Sequence, residues 1–200
     1  RAPVSSGMST PPGEYYTAER WNNWLDRLRE EEIDPESDDS ARLFFNLLDD
    51  ATIAIAKILT DYDDGEFEDA DAAAEELGRV REIVLSEVDI DDEEKLTLVD
   101  GIQTSLVCAL YTAEEYIVGG PAEGAVEEHL QAAAAAEKEE EDLDTALAHC
   151  VQAGTLIVDG EELPMETAEE IEYGLVADWV NGLDSLGRAL ADPSVVEEDE

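Results

Sequence analysis

The chain has 200 residues, of which 44% are apolar, and its formal net charge is −43, from 54 acidic and 11 basic residues. This balance leaves no basic patch to neutralise phosphates, so we expect neither nucleic acid nor an anionic membrane surface as a partner. The most apolar early segment, from Leu43 to Leu59, is interrupted by Asp49, Asp50 and Lys57, so we predict no membrane-spanning segment.

The acidic residues are spread along the whole chain rather than gathered in a tail. In dilute buffer such a charge opposes compaction, whereas at about 1 M salt the Debye length falls to about 3 Å and surface carboxylates hardly interact. Lysine is confined to Lys57, Lys95 and Lys138, and carboxylates maintain solubility better than ammonium groups do. We therefore expect a cytoplasmic protein from a halophile that keeps molar salt inside the cell.

The chain reads as one helical domain with two polar ends. Residues 1–16 are predicted to be a disordered leader, in which residues 1–7 precede a candidate natural start at Met8 and are an upstream extension or a remnant of expression. Residues 17–191 form the predicted helical domain, and residues 192–200 an acidic, disordered tail. Cys108 and Cys150 lie in apolar helical runs, typical of small core residues, and no disulfide is expected in a reducing cytosol.

Apolar residues recur at steps of three and four along the domain, which predicts an all-α fold. In chain order the predicted helices run from Thr17 to Glu32, from after Ser40 to the loop at Asp61, from Phe67 to Val88, from Asp92 to Val118, from Ala122 to Glu140, from Leu143 to Val158 and from Met165 to Leu190. The fifth and sixth could be one bent helix, so the expected fold is a single-domain antiparallel bundle of about six or seven helices. An array of helical repeats is the alternative, although no second copy occurs at a regular period.

Two local signals indicate how these helices pack. The fourth helix is apolar on more than one side, which places it at the centre of the bundle, and the run Gly119-Gly120-Pro121 is expected to end it and open the next helix. Gly174, Gly182 and Gly187 in the last predicted helix could allow close helix approach, within the core or across a dimer.

Carboxylate motifs arise by chance in so acidic a chain, so each motif must be judged by the non-acidic residues that it also requires. The loop that starts at Asp61 resembles an EF-hand, but its glycine is fifth rather than sixth and Ala72 stands where the twelfth-position glutamate is needed. Neither His129 nor His149 has a glutamate three residues before it, as the Glu-x-x-His motif of di-iron bundles requires. The cysteines and histidines also lack zinc-ligand spacing, so no metal or cofactor is assigned.

All-helical nucleotide pyrophosphatases use paired Glu-x-x-Glu and Glu-x-x-Asp motifs to hold magnesium. Glu137 with Glu140 and Glu169 with Glu172 match the first motif. Glu141 with Asp144 follows the first pair too closely to lie on a separate facing helix. The match therefore carries little weight.

One segment concentrates aromatic and arginine residues, the types enriched at interface hot spots. The candidate partner-binding residues are Tyr15, Tyr16, Arg20, Trp21, Trp24 and Arg27. The alternative is that the first helix docks on the bundle with both tryptophans buried, since aromatic stripes at helical spacing usually face a core.

The run from Met8 to Trp21, followed by Trp24 to Leu28, resembles a family of uncharacterised haloarchaeal proteins catalogued as domain of unknown function 2150. The resemblance covers Met8 to about Leu190. It implies an archaeal cytoplasmic origin but no activity, and no catalytic or binding residue can be carried over from it.

The leading hypothesis is a non-enzymatic protein-protein interaction or adaptor module, with a protein partner or self-association. The alternative is a divalent-cation-dependent nucleotide or phosphoester hydrolase that uses helix-borne carboxylates. Mimicry of nucleic acid fits the charge but is hard to tell from ordinary adaptation to salt.

Overall fold

The computed structural model describes residues 15–34, 36–140, 142–171 and 174–191. Within these ranges the chain forms eight α-helices and no β-strand, which confirms the predicted all-α fold. The helices are α1 (Ala18–Glu30), α2 (Asp38–Asp63), α3 (Ala70–Val84), α4 (Glu93–Gly119), α5 (Val126–Ala135), α6 (Leu143–Val158), α7 (Met165–Glu170) and α8 (Leu175–Ala191), with a π-helical turn over Ala136–Glu140. Most of the expected leader and the whole expected tail lie outside the described residues.

Several helices begin at a side chain that accepts a hydrogen bond from the first turn. Thr17 Oγ1 accepts from the backbone N–H of Arg20 at 3.1 Å, as predicted, and Ser37, Asp69, Asp92 and Asp142 cap later helices in the same way. Each cap satisfies a backbone donor that has no partner within its own helix. The abundant aspartate of this chain therefore also fixes where helices start.

Two predicted boundaries are corrected by glycines with positive φ. Gly120 ends α4 as predicted, but Gly124 has φ of +96°, so the next helix begins at Val126 rather than at Ala122. Gly174, with φ of +98°, separates α7 from α8, so the predicted last helix is two helices. The structure also separates α5 from α6, which excludes one bent helix over residues 122–158.

The predicted central position of α4 is confirmed, because it packs against α2, α3, α6 and α8. By length and composition it could also cross a membrane, and half of its most apolar window is buried inside the protein. A long apolar helix buried against four others has the pattern of a core helix.

The buried side chains form two adjacent clusters that α8 joins. The first lies among α1 to α4, and the second among α5, α6 and the first half of α8. Trp179 and Leu183 of α8 belong to the second cluster, whereas Leu186 and Ala189 belong to the first. Cys108 of α4 and Cys150 of α6 are both buried free thiols, and their mutual contact together with burial raises the pKa of Cys150.

Glycine permits the closest helix approaches. A Cβ atom on Gly182 of α8 would overlap the backbone carbonyl of Ser105 in α4, and one on Gly154 of α6 would overlap the side chain of Thr112 in α4. The close approach predicted for Gly182 is thus an approach within the core.

Candidate interaction surface

The aromatic first helix is anchored to α2 by the carboxylate of Asp50. Tyr16 Oη donates to Asp50 Oδ2 at 3.1 Å, Trp24 Nε1 donates to the same oxygen at 2.9 Å, and Arg20 Nε lies 2.8 Å from it. Burial and the neighbouring Asp50 carboxylate raise the pKa of Tyr16. Asp50 thus holds the start and the middle of α1 against the bundle.

The six predicted partner-binding residues divide into buried and exposed groups. Trp21 is only 2% exposed, and Tyr16 is also buried in the first core cluster. Tyr15 Oη donates to Asp61 Oδ2 at 2.5 Å, so this tyrosine packs on the bundle rather than belonging to a disordered leader. Arg27 lies over the half-buried Trp24, with its guanidinium carbon 5.2 Å from the ring centroid. A partner-binding role for the exposed edge of this cluster stays a prediction.

Asp49, the residue before Asp50, anchors the last helix. Its Oδ1 accepts a hydrogen bond from Ser185 Oγ at 2.6 Å, and Arg188 Nη2 lies 3.1 Å from the same oxygen. Thr52 Oγ1 lies 2.6 Å from Ser185 Oγ. Because Asp49 contacts Arg188 while Thr52 contacts Ser185, the two helices run antiparallel here. In the sequence analysis, Asp49 and Asp50 were noted only as interruptions of an apolar segment. Two adjacent carboxylates in an apolar helix were the one signal that these side chains have hydrogen-bonding partners on other helices.

The carboxylate that the pyrophosphatase-like motif singled out caps a helix. Glu137, in the π-helical turn, accepts hydrogen bonds from the backbone N–H groups of Leu175 (2.7 Å) and Val176 (3.3 Å) at the start of α8. Burial and the nearby Glu137 carboxylate raise the pKa of Asp178. Glu172, of the second matching pair, lies outside the described residues.

No group of three His, Cys, Asp or Glu side chains in the described part of the chain is arranged to hold a metal ion. The two histidines face one another, with ring centroids 6.4 Å apart, and His129 Nε2 lies 2.6 Å from the carbonyl oxygen of Glu123.

The surface feature that stands out is an apolar groove between α4 and α6. Large apolar side chains that are exposed in the described residues are Phe45, Tyr111, Val118, Leu143 and Met165. Tyr111 and Val118, with exposed fractions of 46% and 78%, lie on the α4 side of this groove, whereas Leu143, the first residue of α6, does not line it. Patches of this kind mark interaction sites more often than isolated apolar residues do.

The groove follows one face of each helix. On α4 it is lined by residues 111, 114, 115 and 118, and on α6 by residues 144, 147, 148, 151 and 152. Spacings of three, four and seven residues place each set on a single helical face. The cavity between them has a volume of about 470 Å³, within the range of protein binding sites.

The lining of the groove is partly apolar and partly acidic. We call the apolar residues Tyr111, Val118, Leu147 and Val151 its floor, and the acidic residues Glu114, Glu115 and Asp144 its edges. Arg81 of α3 fixes one side, because its guanidinium carbon lies 5.2 Å from the Tyr111 ring centroid and its Nη2 2.5 Å from Glu114 Oε1. The close approach of Gly154 to Thr112 brings α4 and α6 together.

A second apolar cavity, of about 490 Å³, lies where α2 and α4 begin. Phe44, Phe45 and Leu98 line it, with Glu93 and Glu94 at its edge. It is formed by the first turns of α2 and α4 and by Ile33 in the connection before α2, whereas the α4–α6 groove is formed by the last turns of α4 and the first turns of α6. The groove has the more exposed apolar side chains, since Val118 is 78% and Tyr111 46% exposed, against 41% for Phe45.

Comparison with known proteins gives a family but no characterised relative. A family model described as an uncharacterized protein conserved in archaea (DUF2150) matches residues 14–199. No curated protein and no solved structure matches the chain significantly.

Proposed function

This chain belongs to the archaeal DUF2150 family of uncharacterised proteins, and we propose that it is a non-enzymatic protein-interaction module of the salt-rich cytoplasm of a halophilic archaeon. The observation that carries this proposal is the apolar groove between α4 and α6, exposed on a protein with a net charge of −43. The groove, rather than the aromatic first helix, is the proposed docking site, because Tyr16 and Trp21 are buried in the core and cannot contact a partner.

High salt suits a surface of this composition. At about 1 M salt, repulsion between carboxylates is confined to a few ångströms, so the acidic edges do not prevent a partner from approaching. Apolar burial remains available as the source of affinity, at about 25 cal/mol per Å² removed from water. A highly exposed apolar side chain such as Val118 removes the most apolar area from water when a partner covers it, and so contributes most to the affinity.

Substituting Val118→Glu is expected to reduce recovery of the partner at least tenfold. A bound partner would place apolar side chains over the new carboxylate and remove it from water, which costs several kcal/mol. The measurement is affinity purification from a haloarchaeal lysate at native salt, with quantitative mass spectrometry of what co-purifies and circular dichroism to check the fold.

The matched control is Met165→Glu, which adds the same charge at a 64% exposed apolar side chain outside the groove. A stoichiometric partner that Val118→Glu loses and Met165→Glu keeps supports the proposal. If both variants are folded and recover the partner equally, the groove is not the docking site.

A further inference from the structure

We infer that the partner segment which occupies the α4–α6 groove is a basic amphipathic helix of another protein, an inference that rests on the proposed function. The described residues that line the groove include Glu114, Glu115 and Asp144 but neither lysine nor arginine. Arg81 already pairs with Glu114, whereas Glu115 and Asp144 are exposed. The edges therefore offer two carboxylates to incoming cations.

The shape of the groove fits a helix. Its two walls are helical faces whose residues are spaced by three, four and seven positions, and apolar side chains lie on both walls. A helix that presents apolar side chains at the same spacing can insert them into the floor. Lysine or arginine on the flanks of that helix would then lie over Glu115 on one wall and Asp144 on the other.

A second copy of this chain fits the groove less well. A two-fold symmetric contact places the same patch on both sides, so the acidic edges of one copy would meet those of the other. Like charges in direct contact cost free energy even where salt screens longer distances, because the Debye length at about 1 M is about 3 Å. Opposite charges at the edges favour a basic partner instead.

The test compares two synthetic helical peptides that share a leucine face and differ only in their flanks, which carry lysine in one peptide and glutamine in the other. Each has about 18 residues, or five turns, and a fluorescent label. We expect fluorescence anisotropy in molar KCl to show about threefold tighter binding of the lysine peptide by the full-length protein, because exposed ion pairs are screened by salt and contribute little each. Joint substitution Glu115→Gln and Asp144→Asn is expected to remove most of this difference and to leave binding of the glutamine peptide unchanged.

Substitution at Val118 separates groove binding from general attraction to an acidic protein. Val118→Glu makes the protein more negative, so unspecific attraction of the lysine peptide would increase, whereas docking in the groove would weaken at least tenfold. Met165→Glu adds the same charge elsewhere and is expected to bind like the unmodified protein. Lysine-peptide binding that Val118→Glu leaves intact would overturn the inference.

The remaining outcomes distinguish the partner class from the proposed function. Equal binding of both peptides, lost in Val118→Glu, would refute the basic partner and leave the groove as a docking site. A dimer in sedimentation velocity that Val118→Glu converts to a monomer would make a second copy the occupant and overturn the inference. Failure of both peptides to bind, while a natural partner is still lost in Val118→Glu, would likewise refute only the basic helix.

Discussion

Replacing Trp21 with alanine is expected to lower the free energy of unfolding by about 3–5 kcal/mol, the usual cost of truncating a large buried aromatic side chain. Trp21 is 2% exposed and packs in the first core cluster with Leu25 and Leu28, so alanine would leave a cavity where α1 meets the bundle. Urea denaturation followed by circular dichroism in molar KCl measures the difference.

Trp24→Ala is the matched control, since it removes the same side chain from the same helix. Trp24 is only half-buried, and its best-defined contact is the 2.9 Å hydrogen bond from Nε1 to Asp50, so the expected loss is about 1–2 kcal/mol. Equal losses for the two variants would contradict the placement of Trp21 in the core.

Substituting Gly182→Ala is expected to destabilise the fold by about 3 kcal/mol or more, because the new methyl group would collide with the backbone carbonyl of Ser105. A backbone atom inside α4 cannot turn aside as a side chain can, so α8 would have to move away from the central helix. The shift would disturb both core clusters, since α8 contributes to each of them. Thermal unfolding in molar KCl gives the change in stability.

Gly78→Ala in α3 provides the comparison, because a Cβ there meets nothing within 4 Å. Alanine is a better helix former than glycine by about 1 kcal/mol, so this variant is expected to be slightly more stable than the unmodified protein. If Gly182→Ala also stabilised the protein, the described approach of α8 to α4 would be wrong.

Much of the helical framework could be predicted because its signals are local. Thr17 caps α1 as its position before the apolar stripe indicated, and α6 spans Leu143–Val158 as its periodicity predicted. The central position of α4 followed from its apolar residues on more than one side. The breaks at Gly124 and Gly174 were missed because a glycine in a helical pattern does not reveal whether its φ is positive.

The tertiary roles of charged residues could not be predicted, because they depend on which helices meet. Asp49 and Asp50 look alike in sequence, yet they bind Arg188 of α8 and Arg20 of α1 respectively. Glu137 belongs to a motif that suggested metal binding, and its distance from Leu175 along the chain hid its role as a helix cap.

The groove was missed for a related reason. Tyr111 and Val118 belong to a helix that is apolar nearly all round, so the sequence could not tell which of its faces the bundle covers. The packing of α6 beside α4 leaves Tyr111 and Val118 exposed and places Leu147 and Val151 next to them. Trp21 of the aromatic first helix is buried, so the exposed apolar surface lies in the α4–α6 groove and not on α1.

The most direct test of a docking site in the α4–α6 groove is site-specific photocross-linking in haloarchaeal cells. Benzoylphenylalanine is placed at position 118 inside the groove, or at position 165 outside it, and the adducts are identified by mass spectrometry. We expect one dominant protein adduct from position 118, joined through a basic helical segment, and its absence from position 165. The same adduct from both positions, or none from position 118 in a folded protein, would rule out a docking site in the groove.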